Sequence, residues 1–206
     1  EDKQSQSAVS DIVAGWDILF CCNYRCPYCF NAGKWEQLVV SNRHYSHVDW
    51  VTFWDKVYHK YGEINIIISG GEPFVYSGFL EIAKEIISMH RIEIVTNLSI
   101  EMNDINKIVS EFSPQRFILH PSFHPYCAQL DEFIKKIYNL KQKGWELRPT
   151  IVAYPPLLGE LINFKKRFSE EGIDIFVQPF IGQYLNKNYP KGYNTPEREF
   201  ISSLSY

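Results

Sequence analysis

Four cysteines fall within nine residues near the amino end of the chain, in the sequence CCNYRCPYCF (21–30). Cys22, Cys26 and Cys29 have the spacing C-x3-C-x2-C. Thiolates are soft ligands, and three on one loop can hold a cubane iron–sulfur cluster while one of its irons stays open. A metal with an open coordination position can bind a small molecule and make it react. The spacing therefore indicates a reactive iron–sulfur centre.

Two other uses of these thiols compete with that interpretation. Structural zinc usually takes two pairs of ligands, and the nearest candidates to complete a site are His44 and His47. A disulfide framework is disfavoured because the cysteine count is five. A reducing, cytoplasmic compartment fits crowded thiols better.

The two remaining cysteines receive weaker assignments. Cys21 stands one residue too early for the spacing and is predicted to be a small core residue. Cys127 is predicted to be an inert buried thiol, while roles as a hydrogen donor on the substrate side or as a cluster ligand stay open.

A second element, GGEP, occupies Gly70, Gly71, Glu72 and Pro73. Paired glycines allow the backbone to approach a ligand closely and to adopt unusual φ angles. The Glu72 carboxylate can accept hydrogen bonds from an ammonium group. A Gly-Gly-acid turn after a strand is common by itself. It becomes a strong signal of a functional site here because the C-x3-C-x2-C motif follows the preceding strand.

Short apolar strands alternate with amphipathic helices along the chain, which predicts βαβ units around a parallel sheet. A helix over 48–61 is expected to begin with a Ser46–Asp49 capping pair, to end at Gly62 and to bury a stripe of four side chains (Val51, Trp54, Tyr58 and Tyr61). Five helices are expected between six strands, at 16–20, 63–69, 92–97, 116–120, 145–154 and 173–180.

Six units are too few for a closed eight-stranded barrel, so the expected fold is α/β, a partial (β/α)6 barrel or open sheet of parallel strands. Ligands of such folds lie at the carboxyl ends of the strands. The unusual residues all follow or end strands: the cysteines, GGEP, Thr96 with Asn97, the segment 177–180 and the segment 120–124. In that segment His120 and His124 are candidates for acid–base work or for purely structural hydrogen bonding.

The sequence resembles the radical S-adenosylmethionine (radical SAM) enzymes. It carries the family's cysteine motif as Cys22, Cys26 and Cys29 with Tyr28 as the aromatic residue, and the GGEP element as 70–73. The resemblance implies a [4Fe–4S] cluster on the three cysteines and S-adenosylmethionine on the open iron. Cleavage of S-adenosylmethionine by one electron would yield a 5′-deoxyadenosyl radical that abstracts hydrogen from a substrate. It also implies an external electron donor such as flavodoxin or ferredoxin, and a small-molecule or peptide substrate.

Further contacts follow from the resemblance by position. Tyr28 would lie near the adenine, and the GGEP backbone with Glu72 would meet the methionine ammonium group. The remaining candidates for S-adenosylmethionine contacts lie on or just past strands four to six and are Ser122, Arg148, Thr150 and Gln178. Strand five reads RPTIVAYPP, without the glycine-rich adenine motif of many family members.

Length and charge limit the remaining possibilities. The chain has 206 residues, which suits one core: a polar segment at 1–15, a core domain at 16–180, and a loop with the start of a helix at 181–206. Thr195 is predicted as the N-cap of that helix. The last segment is expected to be truncated, to lack an auxiliary-cluster extension, and to be too short to cover the mouth of the sheet. A net charge of −3 and the lack of a long apolar run argue against nucleic-acid and membrane partners. A non-catalytic iron–sulfur or zinc module for electron transfer or assembly is the alternative function.

Overall fold

Six parallel strands form one sheet in the computed structural model, which describes residues 12–41 and 44–204. Neighbouring strands pair in chain order, and β1 and β6 do not pair with each other, so the sheet stays open. The predicted α/β partial barrel of parallel strands is thus confirmed. The strands are β1 (Val13–Leu19), β2 (Asn65–Gly70), β3 (Arg91–Thr96), β4 (Phe117–Phe123), β5 (Thr150–Ala153) and β6 (Phe176–Pro179).

Helices connect the successive strands. Five of them are the predicted crossover helices: α2 (His47–Tyr61), α3 (Phe79–Ile86), α4 (Met102–Glu111), α5 (Leu130–Gln142) and α6 (Leu161–Glu170). A further helix, α1 (Trp35–Ser41), lies between the cysteines and α2 and was not predicted. Of the predicted polar segment, residues 1–11 lie outside the described residues, and β1 begins at Val13, inside it.

The core lies between the sheet and the helices. Ile66 and Ile68 of β2 and Ile92 and Ile94 of β3 are fully buried, and they alternate with more exposed residues along each strand. This period of two is expected when one face of a strand packs under helices and the other lines the concave side of the sheet. The concave face can therefore carry polar side chains.

In helix α2 the predicted caps are present, but most of the predicted stripe is not buried. Ser46 forms the capping box with Asp49, and Gly62 follows the helix with φ of 73°. In contrast, Tyr58 and Tyr61 are exposed, and of the four stripe residues Trp54 alone is buried. The helix is turned so that Trp50 and Trp54 pack on the ring of Trp16, at centroid distances of 4.6 and 5.3 Å.

The bounds of two strands differ from the prediction and move site residues. β4 continues to Phe123, so His120 and Ser122 lie within the strand. β5 begins only at Thr150, because Pro149 has no backbone N–H to donate to a neighbouring strand. Arg148 therefore precedes β5 and lies at the amino end of the sheet.

The segment after β6 forms a two-stranded hairpin, β7 (Gly182–Tyr184) and β8 (Lys187–Tyr189), and the helix α7 (Thr195–Leu204). The cap of α7 is one residue earlier than predicted, because Asn194 and Glu197 exchange side chain-to-backbone hydrogen bonds of 2.8 Å each. Tyr193 fastens the segment to the sheet: its hydroxyl donates to the carbonyl of Ala153 and accepts from the N–H of Phe180. Across the described residues, none of the helices has the length and apolar character needed to cross a bilayer.

Candidate active site

The three cysteines of the motif line one cavity of about 380 Å³ at the carboxyl ends of the strands. They lie in the loop after β1, where Cys26 is buried and Cys22 and Cys29 are partly buried. Cys21 does not line this cavity and packs, half-buried, against the core. Of the two adjacent cysteines, the structure thus places Cys22 at the cavity and Cys21 against the core.

Nitrogen donors approach two of the three sulfurs. The backbone N–H of Tyr24 donates to Cys22 Sγ at 3.3 Å, and the N–H of Asn31 donates to Cys29 Sγ at 3.4 Å. The side-chain amide of Asn97, at the end of β3, lies 3.7 Å from Cys22 Sγ. Such contacts stabilise negative charge on sulfur, as a metal-bound thiolate requires.

Burial opposes ionisation of the same thiols when no metal is bound. It is the largest cause that raises the pKa of Cys22, and the N–H of Tyr24 acts in the opposite direction. Burial likewise raises the pKa of Cys29, against the N–H of Asn31. For Cys26, burial and then the neighbouring Cys127 raise the pKa. Without a metal the thiols are therefore protonated at neutral pH, and a metal that binds them has to displace those protons.

Arg25 contacts both the cysteine loop and the helix α1 that follows it. Its guanidinium donates to the backbone carbonyls of Cys22 and Tyr24 and lies 5.0 Å from the centre of the Trp35 ring. Because Trp35 begins α1 and also lines the cavity, the arginine connects the cysteine loop to the helix that was not predicted.

The two glycines of GGEP bring the turn after β2 into contact with the cysteine loop. A Cβ on Gly70, whose φ is 119°, would lie 2.1 Å from the carbonyl oxygen of Leu19, and one on Gly71 would lie 2.0 Å from that of Cys21. The N–H of Gly71 donates to Leu19 and that of Glu72 donates to Cys21. The two glycines thus allow the GGEP turn to approach the backbone of Leu19 and Cys21, just before the motif cysteines. Of the four GGEP residues, Gly71 alone lines the cavity.

Glu72 lies inside the protein rather than facing the cavity. Its side chain is 1% exposed, and its carboxylate accepts from the Thr96 hydroxyl and the Asn97 N–H at 2.7 Å each, and from the Phe74 N–H at 3.2 Å. Burial raises the pKa of Glu72 to about 7, with the three hydrogen bonds acting in the opposite direction. The Thr96 and Asn97 bonds join Glu72 to the end of β3, and the Phe74 bond lies within its own turn. Contact of the carboxylate with an ammonium group stays a prediction.

Tyr28 and His124 form a pair in the wall of the cavity. The Tyr28 hydroxyl is 3.2 Å from His124 Nδ1, and the two rings stack at 5.8 Å. Burial lowers the pKa of His124 to about 4, so the imidazole is neutral at pH 7. His124 is therefore a hydrogen-bonding wall residue.

His120 does not join this pair. It pairs with Glu93 at 2.7 Å on the concave face of the sheet, and Glu93 accepts from the amide of Asn65. His120 and His124 are close in sequence, but His120 pairs with Glu93 whereas His124 lines the cavity.

The candidate S-adenosylmethionine contacts from the β4 to β6 region do not all lie at the same cavity. Ser122 and Gln178 line the cavity, and the Ser122 hydroxyl is 3.0 Å from that of Thr150. Arg148 lines a different hollow with His120, at the amino end of the sheet. Arg148 was predicted to lie on β5, but the strand begins after it, and Arg148 does not line the cavity of the motif cysteines.

Of the other cavity residues, Asn97 and Phe180 were noted in the sequence only as strand ends, and Trp35 and Ile181 were not predicted. Asn97 carried the signal of ending a strand, but its amide contact with Cys22 depends on the turn that follows β3. Trp35, Phe180 and Ile181 also line the cavity, and Ile181 is the single residue of 181–204 that does so.

Cys127 is closer to the motif than its place in the sequence suggests. It follows β4 in a turn, where its N–H donates to the carbonyl of His124, and its sulfur lies 3.9 Å from Cys26 Sγ. The two residues are 101 positions apart in sequence, so this contact exists only in the folded chain.

The zinc alternative has no support from side-chain placement. Within 12–41 and 44–204, no three His, Cys, Asp or Glu side chains come together as a single metal ion requires. His47 contacts Glu85 at 2.5 Å, and the ring of His44 lies 5.9 Å from that of Tyr76. A cubane attaches each thiolate to a different iron, so its ligands stand further apart than those of one ion.

Comparisons with known proteins give the family. The profile of the Radical SAM superfamily matches residues 17–160, which cover both motifs. The chain belongs to this superfamily. No protein of curated function matches it.

Solved structures share the fold at low sequence identity. The crystal structure of Streptococcus suis SuiB bound to S-adenosylmethionine has 17% identity and a TM-score of 0.63, over 93% of this chain and 47% of that one. Native anSMEcpe with bound AdoMet and Kp18Cys peptide has 13% identity and a TM-score of 0.68, over 92% of this chain and 57% of that one. SuiB bound to the precursor peptide SuiA has 17% identity and a TM-score of 0.62. The chain spans about half the length of these proteins.

Proposed function

We propose that this protein is a radical SAM enzyme that holds a [4Fe–4S] cluster on Cys22, Cys26 and Cys29 and cleaves S-adenosylmethionine reductively. The observation that carries the proposal is the lining of one cavity by all three thiols, two of them with backbone N–H donors on sulfur. When bound and reduced, such a cluster supplies the electron that converts S-adenosylmethionine to methionine and a 5′-deoxyadenosyl radical able to take hydrogen from a substrate.

The chain's own residues hold and orient the two cofactors. Backbone N–H groups and the Asn97 amide stabilise charge on the sulfurs, and the GGEP turn fixes the cysteine loop from behind. Gly71, Ser122 and Gln178 are the proposed polar contacts of S-adenosylmethionine, with Tyr28 beside the adenine. The aromatic and apolar residues around them exclude water from the reacting atoms.

The proposed substrate is a peptide. Two observations support this class over a phosphate-bearing small molecule. The structural neighbours SuiB and anSMEcpe are seen with peptides. Among the described residues, those that line the cavity include no Lys or Arg, the side chains that usually bind phosphates. An external one-electron donor such as flavodoxin or ferredoxin would reduce the cluster.

Anaerobic reconstitution tests the proposal. The purified protein should bind about four irons and, with reductant and S-adenosylmethionine, should release 5′-deoxyadenosine. Replacing Cys22, Cys26 or Cys29 with Ala should abolish both, whereas the matched control Cys21→Ala should keep both. A fully loaded cluster that yields no 5′-deoxyadenosine would favour the alternative of a non-catalytic iron–sulfur module.

A further inference from the structure

Cys26 differs from the other two motif cysteines in what contacts its sulfur. Cys22 and Cys29 each accept a backbone N–H from two residues further along the loop. For Cys26, the corresponding contact is the thiol of Cys127, at an Sγ–Sγ distance of 3.9 Å. Cys26 is also the most buried of the three, with 7% exposure, and the Tyr28 hydroxyl is a further polar group near its thiol.

The turn after β4 holds Cys127 in this place. The turn after β4 is closed by hydrogen bonds from the N–H groups of Cys127 and Ala128 to the carbonyl of His124. His124 in turn is fixed by its contact with Tyr28. The Cys127 thiol is therefore held against Cys26 by the end of β4, a part of the chain that supplies no motif cysteine.

We propose that Cys127 is a positioning residue that donates an S–H hydrogen bond to the sulfur of Cys26 and thereby raises the reduction potential of the cluster. The inference rests on the proposed function, since it takes Cys26 as a cluster ligand. A thiol is a weak donor and a thiolate is a suitable acceptor. Hydrogen bonds to the ligand sulfurs are among the factors that set cluster potential, because they stabilise the more negative, reduced state.

Two variants and one control test the role. Wild type, Cys127→Ala, Cys127→Ser and Cys21→Ala are reconstituted in parallel, and iron content and midpoint potential are measured by a redox titration followed by electron paramagnetic resonance. Cys127→Ala should keep about four irons but have a more negative potential. At a fixed potential near the wild-type midpoint, its ratio of reduced to oxidised cluster should fall about tenfold, which corresponds to about 59 mV for one electron. Cys127→Ser retains a donor and should recover part of the shift, and Cys21→Ala should match wild type.

The outcomes separate this inference from the proposed function. Loss of iron in Cys127→Ala would make Cys127 a ligand and overturn the positioning role. An unchanged potential in Cys127→Ala with full iron content would also overturn it. Failure of the wild type to assemble a cluster would instead refute the proposed function, and with it the premise of this inference.

A second measurement tests the contact in the metal-free protein. A diazenedicarboxamide oxidant takes two electrons and two protons from a thiol pair, forms the disulfide and is itself reduced to the hydrazine. The sulfurs of Cys26 and Cys127 need to close from 3.9 Å to about 2.05 Å. Peptide mapping should find the Cys26–Cys127 disulfide in preference to one between Cys21 and Cys127. The reverse preference would contradict the contact.

Discussion

The Glu72 carboxylate accepts a hydrogen bond of 2.7 Å from the backbone N–H of Asn97, and the side-chain amide of that same Asn97 lies 3.7 Å from the sulfur of Cys22. Glu72 of the GGEP motif is thus linked to Cys22 of the cysteine motif through Asn97, which follows β3. Its side chain is buried, so its contribution to the site is to fix the turn after β3 in the position from which Asn97 meets the cysteine loop.

Glu72→Ala should therefore destabilise the fold. Three donors, on Thr96, Asn97 and Phe74, lose their acceptor in a buried place. Each buried donor left unsatisfied costs about 1–3 kcal/mol, so the free energy of unfolding should fall by at least about 2 kcal/mol. Urea unfolding of the metal-free protein measures it. The exposed Glu132→Ala on α5 is the control and should change stability by less than about 0.5 kcal/mol; equal effects of the two variants would contradict the role of Glu72.

The pH dependence of stability should also report Glu72. An unfolded glutamate has a pKa of about 4.3, and burial raises that of Glu72 to about 7 in the folded chain. Between these values the folded state binds the proton more tightly, so the contribution is present below about pH 4.3 and is lost as pH rises through about 7. From pH 5.5 to 8.0 the free energy of unfolding should fall about 2 kcal/mol more in wild type than in Glu72→Gln. Urea unfolding at both pH values gives the difference, and parallel curves would show that Glu72 does not titrate in this range.

Gly71→Ala should disrupt the contact between the two motifs. The added Cβ would lie 2.0 Å from the backbone oxygen of Cys21, so the GGEP turn or the cysteine loop must move. We expect a loss of about 3 kcal/mol in unfolding free energy and reduced iron loading after reconstitution. Gly159→Ala is the matched control because its Cβ would meet nothing within 4 Å. Normal iron content and stability in Gly71→Ala would show that the loops tolerate separation.

Gln178 and Arg148 should differ in their effect on S-adenosylmethionine binding. Gln178 lines the cavity and Arg148 does not, although both were predicted to contact the ligand. Gln178→Ala should weaken binding by about two- to tenfold, the value of one neutral hydrogen bond, and Arg148→Ala should leave it unchanged. Equilibrium dialysis with the reconstituted protein measures both. Weaker binding in Arg148→Ala alone would contradict the assignment.

Local patterns were enough to predict the architecture and the position of the cysteine motif. Alternating apolar strands and helices, with glycines after α2, α5 and α6, predicted six parallel strands in order. The C-x3-C-x2-C spacing identified the thiols that line the cavity and excluded Cys21. These features depend on periodicity and spacing along the chain, which the sequence displays directly.

Tertiary structure decided the features that depend on contacts between distant segments. Glu72 is buried against hydrogen-bond donors at the end of β3. Arg148 lies away from the cavity because β5 begins to pair only at Thr150. The contact of Cys127 with Cys26 spans 101 residues. No local pattern encodes such distances, because they are set by how strands and turns pack against one another after each has formed.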